Sequence, residues 1–253
     1  MRKVINLMDM YLKSGLYKQL SAFGSYASVC EKIAPDHGPH IIGIDGPASG
    51  GKTSLAKALE KFYLDRNIPV SYFPLDHFLT NRDFRNSLYD PISKGHLTLH
   101  DYTFKGWDHE KYYEFLESAK KILGRKSSTS KTFVIENAYN RQTGVQDHLE
   151  KITIYPGGIL IAEGTGIHVV HDKILDLKIR VDVRTIDTLF NRVLNREHLK
   201  DREKRLNNEF VLDRYTIIDL PHREVLAKET AGMADFVIDT TDSNNMLVYK
   251  NNN

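Results

Sequence analysis

A single cysteine, Cys30, occurs in the 253 residues. No intramolecular disulfide and no C-x-x-C metal or redox pair can form, so a reducing compartment, the cytoplasm, is the expectation. An excess of charge is missing as well: 35 Lys and Arg stand against 33 Asp and Glu, a net charge of +2. That balance gives no reason to expect a nucleic-acid or membrane partner. The apolar stretch after Met1-Arg2-Lys3 is broken by Asn6, Asp9 and Lys13, which argues against a signal-peptide core of roughly 7 to 15 apolar residues. Nowhere does the chain reach the roughly 20 apolar residues of a membrane span. Internal repeats are lacking too. What remains, 41% hydrophobic and 27% charged residues, is the composition of a globular protein and excludes a disordered one.

Three segments are expected. Leu12, Leu16, Leu20 and Phe23 recur at spacings of three or four, which predicts one or two amphipathic helices between Val4 and Ala34, broken near Gly15 or Gly24. Residues 1–38 therefore read as a helical extension, joined through the turn formers Pro35-Asp36-His37-Gly38-Pro39. Residues 39–245 read as the main domain and 246–253 as a tail, with Asn251 to Asn253 disordered.

In the main domain short apolar runs alternate with longer periodic ones, the pattern of strands connected through helices into a mainly parallel α/β sheet. Strands are expected at Ile41 to Asp45, Val70 to Phe73, Ile159 to Ala162, Ile179 to Val183 and Phe236 to Ile238. Helices are expected at Lys52 to Arg66, Glu110 to Leu123 and Thr185 to Lys200. Thr132 to Glu136 and Ile152 to Tyr155 form a candidate antiparallel pair.

The first strand runs into Gly46-Pro47-Ala48-Ser49-Gly50-Gly51-Lys52-Thr53, a full match to G-x-x-x-x-G-K-[ST] in strand, loop, helix context. The glycines let successive N–H groups converge on phosphates at a helix N-terminus, whose dipole favours anions. Lys52 adds positive charge, and Thr53 offers a hydroxyl to Mg2+. A nucleotide is the expected ligand; the loop alone does not say where the γ phosphate goes.

Other residues complete a phosphoryl-transfer set. Asp76 follows the second strand, where a parallel sheet opens onto the same crevice; it is either a general base or a turn cap. Glu163 closes an apolar strand as a second support for Mg2+ or as a surface charge. Arg192, Arg196, Arg202 and Arg205 form either a mobile phosphate-covering lid near 195–206 or a solvated face. His168 and His171, three apart, lack the further ligands of a zinc set. Trp107 is either a stacking surface for an acceptor ring or a core anchor.

Between His40 and Thr241 the chain resembles the uridine kinase and phosphoribulokinase branch of P-loop kinases, which also includes bacterial pantothenate kinases. The resemblance rests on the phosphate loop, on Leu75-Asp76-His77-Phe78, and on Trp107-Asp108-His109, which is similar to the family's Phe-Asp-His. It also rests on Ile152-Thr153-Ile154-Tyr155-Pro156 running into Ile159 to Gly164, on Asp176 to Asp182, and on Ala234 to Asp239. It implies a three-layer P-loop kinase sandwich with a mainly parallel five-stranded sheet, a small antiparallel hairpin and, here, a helical N-terminal extension. ATP and Mg2+ are the implied cofactors. Gly46, Ala48, Ser49, Gly50, Gly51, Lys52, Thr53 and Ser54 would hold the nucleotide phosphates, joined by Arg196, Arg202 and Arg205 from the lid. Asp76 would be the base, with Lys52 and Arg196 beside it in catalysis, and Thr53 and Glu163 would support the metal. Asp108, Tyr139 and Arg192 would hold a nucleoside acceptor.

After the tyrosine, uridine kinases carry an Asp and later a base-reading His. This chain continues Asn140-Arg141-Gln142-Thr143-Gly144, so Arg141 either meets an anionic acceptor or is an exposed hairpin residue. The reading is an ATP-dependent kinase acting on a hydroxyl of a nucleoside-like or other sugar-containing small molecule. A P-loop ATPase or nucleotide switch with a protein partner is the competing class, and homo-oligomerisation stays open.

Overall fold

The computed structural model describes residues 17–35, 40–126, 129–198, 208–230 and 232–252. In chain order these form β1 (Tyr17–Phe23), α1 (Tyr26–Ile33), β2 (His40–Asp45), α2 (Lys52–Leu64), β3 (Val70–Pro74) and a 3-10 turn at Leu75–Phe78. Next come α3 (Arg82–Ser87), α4 (Tyr89–Ser93), α5 (Leu99–Gly106) and α6 (His109–Leu123), then β4 (Lys131–Tyr139), β5 (Gln146–Ile154) and β6 (Ile159–Glu163). The remainder is α7 (Ile167–His171), β7 (Leu177–Asp182), α8 (Ile186–His198), α9 (Asn208–Arg214), a π turn at Tyr215–Asp219, α10 (Leu220–Glu229), β8 (Phe236–Asp239) and β9 (Met246–Asn251).

The apolar runs become strands buried on both faces, as in parallel sheets covered by helices. Strands β8, β7, β2, β6 and β3 are parallel neighbours in that order. Ile42 and Ile44 point to one face, where Leu55, Ala56, Leu59 and Tyr63 of α2 cover them. Ile41, Leu160 and Ala162 point to the other, under Tyr112, Phe115, Leu116 and Ala119 of α6. The two-residue period of the strands thus meets the 3.6-residue period of a helix on each side. Each such Leu or Ile fully withdrawn from water contributes about 1.5–3 kcal/mol. The hairpin β4–β5 forms a separate two-stranded antiparallel sheet.

The sheet has seven strands rather than five. Met246–Asn251, in the segment expected as a tail, form β9, antiparallel to β8. Asn251, expected to be disordered, is fixed instead: its N–H donates to Asp235 O at 2.9 Å and its side-chain amide to Gly232 O at 2.9 Å.

The N-terminal segment also departs from the expected helices, because β1 pairs antiparallel with β9. A bulge explains the three-residue spacing of Leu20 and Phe23: the register shifts between Gln19 and Ser21, so the extra residue Leu20 breaks the two-residue alternation. Tyr17 then faces the small cluster with Tyr249 and Ala234, while Phe23 turns to the α2 face beside Met246. Between Tyr17 and Pro35 the helical part is Tyr26–Ile33, capped by Ser25, whose side chain accepts from Ser28 N; the part of the expected helices before Tyr17, with Leu12, Gly15 and Leu16, lies outside the described residues.

Chains leave β2 and β6 in opposite directions, to β3 and to β7. The crevice beyond their carboxyl ends is therefore a topological switch point, where open α/β sheets bind ligands.

Candidate active site

The phosphate loop follows β2 and is tied down at both ends. Gly46 has φ +149° and lies against β7, with no space for a side chain: a Cβ there would sit 2.1 Å from Val181 O. Its N–H donates to Asp45 Oδ1 at 2.6 Å, and the same oxygen accepts from Gly166 N at 2.8 Å. Asp45 thereby joins the loop to the turn after β6. Gly50 N donates to Pro47 O at 3.1 Å, and Thr240 Oγ1 to Gly50 O at 2.7 Å. Gly51, at φ 105° and ψ 9°, caps α2 without a side chain in the way.

Lys52 Nζ folds back over this loop, donating to Pro47 O at 3.0 Å and Thr165 Oγ1 at 3.3 Å. Ser49 Oγ is buried with no partner among the described residues. An orphaned hydroxyl, an ammonium folded over the loop and the N-terminal N–H groups of α2 form a cradle suited to a polyphosphate.

Thr53 and Glu163 meet at the mouth of the loop. Thr53 Oγ1 donates to Glu163 Oε1 at 2.9 Å, and Tyr72 OH donates to the same oxygen at 2.9 Å. Glu163 is buried; burial and the adjacent carboxylate push the Tyr72 phenol upward, so it stays a hydrogen-bond donor. These hard oxygen donors fit Mg2+, which takes one or two protein ligands and fills its octahedron with phosphate and water oxygens.

Register brings Asp76 to the same crevice. Glu163 lies level with Ile44 of β2 and with Pro74 of β3, so Asp76 stands two residues beyond Pro74. A second segment is pinned beside it: Leu79 bridges Trp107, and Asp108 N donates to Phe78 O at 2.8 Å. Asp108 accepts from Lys111 N at 3.1 Å as the cap of α6 and pairs with Lys111 Nζ at 2.8 Å. Trp107 is buried within the α6-side core, which makes it a core anchor.

The hairpin supplies the remaining wall. Its turn docks on the start of α3 through Arg82 N to Gly144 O at 2.7 Å and Gln146 N to Asn81 Oδ1 at 3.0 Å. The Arg85 guanidinium lies 4.5 Å over the Tyr139 ring and donates to its hydroxyl at 2.8 Å. Arg141 forms an ion pair with Asp76. Asp76, Asp108, Tyr139 and Arg141 are thus held in neighbouring segments.

Arg192 lies elsewhere. It donates to Thr240 Oγ1 at 3.2 Å and to the Thr240 carbonyl, at the end of β8, across the phosphate loop from Asp76. Arg196 lies in the last turn of α8, where its charge acts on Asp219. Arg202 and Arg205 fall outside the described residues.

Buried charges brace the crevice from below. Arg223 Nε donates to Asp182 Oδ1 at 2.9 Å, and Arg180 NH1 stands 3.8 Å from Asp45 Oδ2. Burial opposes charge on Asp45, but His168, Arg180 and the two backbone N–H groups outweigh it and hold the carboxyl below its ordinary value. Removing one partner of such a set leaves an uncompensated buried charge.

Sequence reasoning missed several of these residues. Asp45, Tyr72, Thr165 and Thr240 belong to no motif and act only through folding. Tyr26, from α1, is a further case: its hydroxyl lies 2.6 Å from where a Cβ on Gly51 would be, and it shares a hydrogen bond with Ser54.

The model of the Phosphoribulokinase / Uridine kinase family matches residues 41–246. A uridine kinase of Streptococcus pneumoniae is 24% identical over 218 residues, covering 83% of this chain and 90% of that one. Among solved structures, the YGR205w protein has a TM-score of 0.58 at 13% identity, covering 90% of this chain and 99% of that one. The D-glycerate 3-kinase of Cryptococcus neoformans has a TM-score of 0.51 at 13% identity, covering 85% and 91%. At such identities the structural likenesses establish the fold alone. Among the described residues no helix is long and apolar enough to cross a membrane.

Proposed function

Because the chain belongs to the Phosphoribulokinase / Uridine kinase family, we propose that it transfers the γ-phosphoryl group of ATP to a hydroxyl of a nucleoside-like or other sugar-containing metabolite. The enzyme is then a phosphotransferase with an alcohol group as acceptor. The observation that carries this reading is the register of three parallel strands: the phosphate loop after β2, Glu163 at the end of β6 and Asp76 just beyond β3 share one sheet edge. An ATPase has no use for the acceptor wall that Asp108, Tyr139 and Arg141 would form beside Asp76.

The phosphates lie on the N–H groups of Ala48, Ser49, Gly51, Lys52 and Thr53, with the Lys52 ammonium taking up charge. The acceptor hydroxyl sits between Asp76 and the γ-phosphorus. Its oxygen forms the new P–O bond while the bond to the β-phosphate oxygen breaks, ADP leaves, and the hydroxyl proton passes to the Asp76 carboxylate. Holding the reactants in line supplies much of the acceleration. Mg2+, when bound by Thr53 and Glu163, supplies charge neutralisation at the β and γ phosphates. Arg196, in the last turn of α8, would add a further phosphate contact; Arg202 and Arg205, the other expected contacts, lie outside the described residues.

Asp76→Asn tests the assignment. It preserves shape but removes the proton acceptor, so ATP binding should persist while acceptor-dependent turnover falls about 100-fold or more. Near-normal turnover in that variant would remove Asp76 from the role of base.

A further inference from the structure

We infer that the acceptor carries an anionic group, a carboxylate or a phosphate, and that this group draws Arg141 away from Asp76, so that the base is released only when the acceptor is seated. The inference rests on the reading of Asp76 as the base and adds to it the class of the acceptor and a reason why water is a poor substitute.

Arg141 pairs with the carboxylate that must accept a proton. In that state an Asp76 oxygen is committed to the guanidinium and withheld from an acceptor hydroxyl. The backbone of Arg141 is fixed while its side chain is not. Its carbonyl accepts from Arg82 NH2 at 2.7 Å, and the turn around it closes through Gly144 N to Asn140 O at 2.8 Å and Gln142 N to Asn140 Oδ1 at 2.9 Å. The side chain is 64% exposed, so it can swing about a fixed root without disturbing the hairpin.

The charge around it supports the same conclusion. Arg82, Arg85 and Arg141 converge on this wall, whereas Asp108 is already paired with Lys111. Arg85 is engaged with Tyr139 and the Thr80 carbonyl, and both its contacts and those of Arg82 are to neutral oxygens. A neutral acceptor gives Arg141 nothing in exchange for Asp76. An anion offers a planar, bidentate partner matched to the guanidinium fork. Arg141 stays protonated throughout: the new P–O bond forms, the bond to ADP breaks, and the acceptor proton goes to the Asp76 carboxylate that Arg141 has left. Without the acceptor the ion pair keeps the base from activating water, an induced-fit safeguard against wasted ATP.

The test measures ADP release by wild type, Arg141→Gln and Arg141→Lys with matched acceptors that differ in one group: ribose against ribose 5-phosphate, glycerol against glycerate, and pantothenyl alcohol against pantothenate. An acceptor-free control and ATP titrations run alongside. Wild type should favour the anionic member of a pair by about 10- to 100-fold in kcat/KM, as expected for one charge-assisted contact. Arg141→Gln should erase that preference and raise acceptor-free hydrolysis several-fold with ATP affinity unchanged, and Arg141→Lys should retain part of the preference. A wild-type preference for neutral members, or a preference that survives in Arg141→Gln, overturns the inference. If no acceptor is phosphorylated, the kinase reading fails by itself. Acceptor-free hydrolysis still decides the release of Asp76, and an unchanged rate in Arg141→Gln overturns it.

Discussion

Gly46→Ala puts a methyl group where the phosphate loop presses on the sheet. Two costs combine. The backbone at φ +149° is one that L side chains rarely adopt, worth roughly 1–3 kcal/mol. The new Cβ would also lie 2.1 Å from Val181 O. Val181 is fully buried in β7, between β2 and β8, so the carbonyl is held by its ladder and the loop must move instead. Relieving the clash takes a shift of about 1 Å, and misplacement on that scale costs on the order of 100-fold in a catalytic site. Gly95→Ala is the matched control: its φ of +74° carries a backbone cost, but nothing lies within 4 Å of the added Cβ. Urea unfolding and calorimetric titration with MgATP on both variants separate the terms. Both should lose stability, Gly46→Ala by roughly 1–3 kcal/mol and Gly95→Ala by about 1 kcal/mol, and only Gly46→Ala should lose ATP affinity, by at least about 10-fold. Wild-type ATP affinity in Gly46→Ala would refute the close packing of loop on sheet as the source of its geometry.

Tyr26→Phe should weaken ATP binding by about 2- to 10-fold, the worth of one hydrogen bond, since the Tyr26 hydroxyl bonds Ser54 in the first turn of α2; titration with ATP checks this. Burial pushes His171 down to about 3 and His222 down to about 4, so both fold as neutral imidazoles. The unfolded chain takes up their protons near pH 6.5, and stability should fall as the pH drops below that value. The slope is up to about 1.4 kcal/mol per pH unit for each group; denaturant midpoints at pH 7.5, 6 and 5 measure it, and His171→Phe should flatten it. Burial pushes the Cys30 thiol up to about 12, so a thiol reagent should label the native protein negligibly and the denatured protein fully.

The parallel sheet and the phosphate loop were legible because each has a local signature: apolar runs of strand length, and a spacing of glycines, Lys52 and Thr53 that only a phosphate cradle requires. Asp76 and Glu163 were legible because strand ends in a parallel sheet point to one crevice. The two added strands were not. The bulge at Leu20 gave β1 an apolar period near that of a helix, and β9 follows β8 closely enough to read as a tail. β9 covers the β8 edge and β1 covers the β9 edge in turn, pairings that are a tertiary demand. Arg192 was assigned by resemblance to the acceptor, but its contacts are with Thr240 and Thr241. Tyr26, Tyr72 and Thr240 reach the site from distant positions in the chain, and no spacing announces them.

The central claim is transfer of phosphoryl from ATP to a hydroxyl rather than to water. Its most direct test is a coupled ADP-release assay with MgATP against nucleosides, pantothenate and sugar phosphates, with an acceptor-free control and Lys52→Ala alongside. The account predicts ADP release that depends on an acceptor and disappears in Lys52→Ala. ADP release equal with and without acceptors, or none despite measurable ATP binding, would contradict it.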